Sequence, residues 1–317
     1  MKKMNRILFV CESDHCDNAA LEQAIELARS QMAELTVIGC FDNLKKLSQD
    51  QPSHKILIQE MLNHKQAELK QYIKNLTSDE IQVKVFLGKP FIDIIQEVIE
   101  FDIDLVIKAV NPSGFKSIIF GSQDLKLLRF CPCPLWLIKP TESKPEKKII
   151  VAIDYEPDNP ENEMLNKQLL DMGVSLALSQ FAELHVVHAW SLDNESFLRS
   201  PRMEYTDKEV DAMLQQEQEQ RSQWLKDTVD TSVLTHGKQT HTFLSPVLHL
   251  IKGSAAHNIP QLVKKTNPEL LIMGTVGRTG IPGFFIGNTA EAILFDVNCS
   301  VLALKPEAFV SPVKLEA

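Results

Sequence analysis

The sequence predicts an α/β protein built from two tandem doubly wound parallel-sheet units. Three observations carry this prediction: a repeat, an alternation of short apolar runs with helical spacings, and a polar linker between the copies. Asn5–Glu12 lines up with Lys147–Asp154, each an apolar run ending in a carboxylate. Ala33–Phe41 matches Ala182–Trp190, Asp104–Lys108 matches Glu269–Met273, and Cys133–Pro140 matches Cys299–Pro306. Four matches in the same order make one unit present twice. The chain of 317 residues is long enough for two domains of ordinary size.

Within a copy, the runs Ile7 to Val10, Leu35 to Ile38, Val83 to Leu87, Leu105 to Ile107 and Leu135 to Ile138 are continuous and rich in β-branched residues. Such runs fit parallel strands buried on both faces. Between them come helical spacings: Leu21, Ile25, Leu27 and Ala28; Met61, Leu62, Leu69 and Ile73 within Ile56 to Leu76; and Phe91, Ile94, Ile95, Val98 and Ile99. Alternation of this kind predicts right-handed crossovers, with ligands held beyond the carboxyl ends of the strands. Thr141–Lys147, polar and containing Pro145, reads as the linker, so the expected domains are 1–142 and 146–308.

Composition narrows the function. With 33 Lys+Arg against 42 Asp+Glu the formal charge is -9, which argues against a general nucleic-acid or anionic-membrane surface. The stretch after Pro140 carries -8 of it, so an anion bound there must be held locally, by backbone amides or one placed Arg. Six cysteines, with no apolar run of signal-peptide or membrane-spanning length, fit a cytoplasmic chain whose thiols stay reduced, Cys11 and Cys16 included.

One segment points to chemistry. After the strand Leu270–Met273, five of the 12 glycines fall between Gly274 and Gly287, followed by Asn288, Thr289 and a helix-like Ala290–Phe295. A buried strand, a glycine loop and a helix start form a phosphate cradle, because glycines let backbone N–H groups approach the oxygens and the helix end favours negative charge. Arg278 adds a charge-assisted contact. The same residues also fit a surface turn capped by Asn288 or Thr289. In the first copy Ala109 and Pro112 replace the first two glycines, and the span from Ala109 to Gly121 is one residue shorter. Pro112 removes a donor and Ala109 adds a Cβ, so this copy is not expected to bind phosphate in the same way.

Gly274, Gly277 and Gly287, spaced with two and nine residues between them, resemble the nucleotide motif of the universal stress protein family. The two-copy layout is similar to the tandem-domain type of that family, over essentially the whole chain. The resemblance implies two Rossmann-like, adenine nucleotide alpha hydrolase-like domains forming an intramolecular pseudo-dimer through their last strands, with further homo-dimerisation open. It implies ATP or a related nucleotide as ligand and a stress-resistance role as sensor or regulator. Carried over, the binding roles fall on Asp154 for base or ribose, on the Val187 backbone for adenine, and on Gly274, Gly277, Gly287, Asn288 and Thr289 for phosphates. One departure is that Asn288 stands where the family has Ser or Thr, with Thr289 following.

Other constellations have plainer readings. Cys131-Pro-Cys133 lacks the spacing of a zinc knuckle. His185 and His188 fall on opposite faces of a strand and cannot readily share a metal. The acidic loop Asp154, Tyr155, Glu156 and Asp158 is either solvated or, with nucleotide present, a source of Mg²⁺ ligands. No Walker lysine and no nucleophile with a base is arranged, so slow ATP turnover is the most the sequence supports as an activity. The segment Ser191–Val229 is either a helix packed on its own sheet or a lid over an apolar cavity. The lid keeps a second function class open, a carrier of a small amphiphile, lipid-like or phosphorylated. No protein partner follows from the sequence.

Overall fold

The computed structural model describes residues 4–12, 16–41, 52–87, 90–110, 120–139, 146–192, 194–200, 202, 203, 205–237, 240–275 and 286–315. The first copy runs β1 (Arg6–Glu12), α1 (Asn18–Gln31), β2 (Glu34–Phe41), α2 (Pro52–Leu76), β3 (Gln82–Leu87), α3 (Pro90–Glu100), β4 (Leu105–Ala109), α4 (Ser122–Phe130) and β5 (Leu135–Ile138). The second runs β6 (Glu146–Ala152), α5 (Pro160–Gln180), β7 (Glu183–Trp190), α6 (Glu195–Leu198), α7 (Asp207–Thr235), α8 (Thr240–Leu244), β8 (Val247–Lys252), α9 (Ala255–Thr266), β9 (Pro268–Gly274), α10 (Asn288–Asp296) and β10 (Ser300–Leu304).

Two compact units result, and their border does not follow the repeat. The segment from β1 to β5 groups with Ser300–Lys305 and Phe309–Ala317, whereas β6 to Cys299 groups with Pro306–Ala308. In the amino-terminal unit the strand order is β3-β2-β1-β4-β5-β10, all parallel except β10, which pairs antiparallel with β5 through Leu302 opposite Trp136. The last strands of the two copies therefore cover each other's exposed ladder groups. In the carboxyl-terminal unit the order is β8-β7-β6-β9, all parallel. In both units strand order reverses at one place, between β1 and β4 and between β6 and β9, and there a crevice opens at the carboxyl edge.

The local causes are visible. Ile7, Leu8 and Phe9 are fully buried, as the unbroken apolar run requires of a central parallel strand. Asp17 accepts the Ala20 N–H to start α1, and Met32 in the left-handed region ends it. Asn159 likewise starts α5, with Pro160 at its first position, and Phe181 ends it in the same left-handed way. Aligned at these C-terminal ends, α5 with 21 residues exceeds α1 with 14 by seven, about two turns, and the excess lies at its start, beside the crevice. Gly173 lets α5 sit directly on β6. A Cβ there would lie 2.3 Å from Val151 Cγ2.

Candidate functional site

At the β6/β9 switch point the carboxyl-terminal unit holds a cavity of about 760 Å³, within the usual range for small-molecule sites. Asp154, Gly274, Gly287, Asn288 and Thr289 line it together. Their positions follow from the fold. Gly274 ends β9 and Asp154 follows β6, so both sit where parallel strands expose their carboxyl edge. The Gly287 N–H bonds the Thr275 carbonyl at 2.8 Å, tying the far end of the glycine segment back to β9. Helix α10 then begins with Gly287 as its N-cap residue, which has no side chain to satisfy the first amides. Asn288 and Thr289, expected as caps in the turn reading, instead lie inside the first turn, and both are exposed. That leaves a helix start with no side-chain cap from its N-cap residue on the cavity wall, an arrangement that favours an anion. Gly277 and Arg278 lie outside the described residues.

Asp154 is held from the extra turns of α5. The buried Asn166 side chain donates to the Asp154 carbonyl at 2.6 Å and accepts its N–H at 3.2 Å, while Asn162 steadies Asn166 at 3.0 Å. No motif marks Asn166 in the sequence. The family role assigned to Val187 does not fit this structure: Val187 is fully buried in mid-strand and its carbonyl accepts the Ile153 N–H at 3.0 Å. The cavity wall on that side is made two to four residues later by Ala189, Trp190 and Ser191. The adenine role was carried to a strand interior, and the strand runs on to Trp190.

A second feature is absent from the sequence reading. Arg221, from the middle of α7, lines the same cavity. Its Nε donates to Glu217, its Nη1 lies 3.3 Å from His188 Nε2, and its guanidinium sits 4.5 Å from the centre of the Tyr155 ring. His188, buried on β7, has Nδ1 3.2 Å from the Ile153 carbonyl. A carbonyl only accepts, so Nδ1 carries the proton and Nε2 accepts from Arg221. Trp224 closes the cluster edge-on against Tyr155 and His188, at 5.0 and 5.1 Å. Helix α7 is thus packed on its own unit through Val210, Leu225, Val229 and Val233, and it reaches the cavity through Arg221.

At the corresponding switch point of the amino-terminal unit, charged side chains of the chain itself meet one another. Lys108 at the end of β4 stands where β9 has Met273. Its Nζ contacts Glu12 Oε2 at 2.9 Å and Asp124 Oδ1 at 2.6 Å, and its side chain is 2% exposed. Burial alone would lower the Lys108 pKa, but Asp124 and Glu12 together outweigh it and raise the ammonium above its ordinary value. The other oxygen of Asp124 accepts the Gly121 N–H at 2.9 Å. A carboxylate of the chain itself therefore occupies the start of α4, where α10 offers Ala290.

Elsewhere, Cys11 and Cys16 are joined as a disulfide, which corrects the expectation of reduced thiols there. Their Cα atoms lie 4.9 Å apart, inside disulfide range. Cys40, Cys131, Cys133 and Cys299 take part in no disulfide. His185 is buried against His249 of β8, ring nitrogens 2.8 Å apart, with Glu183 3.3 Å from its other nitrogen. Among the described residues no group of three His, Cys, Asp or Glu is placed to hold a metal, and no helix is long and apolar enough to cross a membrane.

Comparison with known proteins agrees with this architecture. The universal stress protein family model matches residues 3–139 and again 146–305. The chain is 31% identical over 258 residues to universal stress protein E of Escherichia coli K12, covering 80% of this chain and 76% of that protein. It is 26% identical to the universal stress protein E homolog of Haemophilus influenzae, over 96% and 98% of the two chains. Among solved structures, a functionally unknown protein of Pseudomonas aeruginosa PAO1 superposes with a TM-score of 0.70 at 24% identity, covering 96% and 93%. A universal stress protein of Archaeoglobus fulgidus does so at 0.56 and 16% identity, covering 94% and 96%. Two family matches laid end to end over a repeated doubly wound unit leave one conclusion: the chain belongs to the universal stress protein family of stress-response proteins, as a tandem-domain member similar to universal stress protein E.

Proposed function

We propose that the carboxyl-terminal unit binds ATP or a related nucleotide, and that the chain acts in stress resistance as a nucleotide-responsive sensor or regulator. The observation that carries this reading is the cavity at the β6/β9 switch point, with Asp154 on one side and Gly274 and the start of α10 on the other. Phosphates sit against the α10 amides, in a unit whose net charge is otherwise repulsive, and Asp154 accepts from ribose or base. With a nucleotide bound, Asp154 and Glu156, both lining the cavity, would supply carboxylate oxygens to a Mg²⁺ ion on the phosphates. The amino-terminal unit does not bind nucleotide this way, because Lys108, Glu12 and Asp124 satisfy one another in the equivalent space. In this reading the first half serves as scaffold or partner surface.

Native mass spectrometry of the freshly purified protein, together with thermal shift against ATP, tests the reading. A co-purified nucleotide mass or a stabilisation by ATP that Gly274→Val abolishes is expected. A bare protein indifferent to ATP contradicts it. One observation favours a second ligand class: Leu165, Leu169, Trp190, Ile259, Met273 and Ile293 also face the cavity, so a phosphorylated amphiphile would find both an anion end and an apolar wall. The co-purified mass separates the two.

A further inference from the structure

Arg221 presents an unfilled demand at the end of the cavity away from α10. A guanidinium carries five N–H donors and no acceptor. Glu217 takes Nε and His188 takes one hydrogen on Nη1; the remaining donors have no partner among the described residues, although the side chain is only 15% exposed. The group is also held still. Tyr155 lies under its plane, and His188 is fixed in one tautomer by the Ile153 carbonyl, directly beside Asp154. A partly buried, pre-positioned cation with open donors is complementary to lone pairs and not to N–H groups. The strand order puts this end over β7, across β6 from the phosphate end at β9 and α10.

We propose that Arg221 is a ligand-binding residue, and that the ligand's end remote from α10 presents hydrogen-bond acceptors to it, either a base carbonyl or a second anionic group. This rests on the nucleotide reading above and narrows its ligand class. An adenine base turns its exocyclic amino group, a donor, toward neighbours along the same edge on which an oxo-purine turns a carbonyl. A nucleotide whose only anion is the 5′ phosphate chain and whose base is adenine offers Arg221 single ring-nitrogen acceptors with an amino donor beside N7, whereas an oxo-purine offers O6 and N7 as an acceptor pair that matches the guanidinium fork. Sequence inspection passes over the residue because it lies mid-helix in a long connection, without a motif.

Two matched probe pairs test the proposal by calorimetric titration of the full chain. ITP and ATP differ at the purine 6-position, oxo against amino. Adenosine 3′,5′-bisphosphate and AMP differ by the second phosphate. The expected result is that the acceptor-bearing member of at least one pair binds about tenfold more tightly, the discrimination typical of one good bidentate arginine contact. Arg221→Gln removes that preference, bringing the two members of the pair to equal affinity. Which pair discriminates identifies the acceptor as base or phosphate. Arg221→Lys keeps the charge without the fork: it retains part of a preference for the bisphosphate and loses one for ITP. The thermal midpoint of the unliganded variants checks that they fold, and the Lys variant gives a second route should the Gln variant not. Equal affinities within both pairs, or a preference that survives Arg221→Gln, overturns the proposal while leaving nucleotide binding intact. Failure of all four probes to bind removes the parent reading and this one with it.

Discussion

The two copies reach the same switch point with opposite chemistry. In the amino-terminal unit, Lys108 meets both Glu12 and Asp124 within 3 Å, and Lys108 and Asp124 are nearly sealed from water. In the carboxyl-terminal unit the matching places hold Asp154, Met273 and Ala290, and a cavity takes the place of the ions. Asp124 supplies from within what a bound anion supplies from without, a negative group on the helix start. The comparison teaches that a repeated fold fixes where a ligand can bind, and that three substitutions decide whether the space is open or already answered.

Breaking the ion triad should have the largest effect. Lys108→Met, which installs the second copy's residue, takes the cation away from the buried Asp124 carboxylate and from the partly exposed Glu12, and should cost about 3–5 kcal/mol in chemical denaturation. Adding Asp124→Ala should restore part of that loss, since one of the stranded charges is then gone. A double variant no more stable than the single one would mean the triad is not the unit of stability described here.

A smaller effect tests the helix that differs in length between copies. Aligned at their C-terminal ends, Gly173 of α5 matches Ala24 of α1, where a methyl group is already accommodated and fully buried. Gly173→Ala would drive its Cβ into Val151 and should destabilise by about 1–3 kcal/mol through overpacking. Little or no loss would show that α5 can lift off β6 without penalty.

Smallest is a pH effect confined to the carboxyl-terminal unit, where His185 and His249 stand at the places of Thr36 and Lys84. Burial, reinforced by His185 and Lys265, lowers the His249 pKa below its ordinary value. The unfolded chain therefore binds more protons as pH falls below about 6.5, and stability declines with acidification through that region. The thermal midpoint should fall less between about pH 7 and 5 in His249→Gln than in the parent. An unchanged slope would assign the acid sensitivity to other groups.

Much of this was legible in the sequence. The repeat fixed the fold because continuous β-branched runs have few alternatives to buried parallel strands, and the carboxylate ending each first strand marked both crevices. Lys108 was legible in principle, as a charge closing an apolar strand, but its partners come from α4 and β1, which only the crossover brings together. Asn166 and Arg221 carried no local signal: one depends on two added turns of α5, the other on a helix that returns over the sheet from a long insertion. Val187 was misplaced because pattern matching locates a strand better than the point where its backbone stops pairing. The Cys11–Cys16 bridge depends on the end of β1 and the approach to α1 lying side by side, which spacing alone does not reveal.

Calorimetric titration with ATP tests the central claim, that one crevice is open and the other is answered from within by the chain's own charges. The expected result is one site per chain, lost in Gly274→Val and kept in Gly121→Ala, whose added methyl finds ordinary contact distance to Asp124. Two equal sites per chain, or a single site that Gly121→Ala removes and Gly274→Val spares, would contradict it.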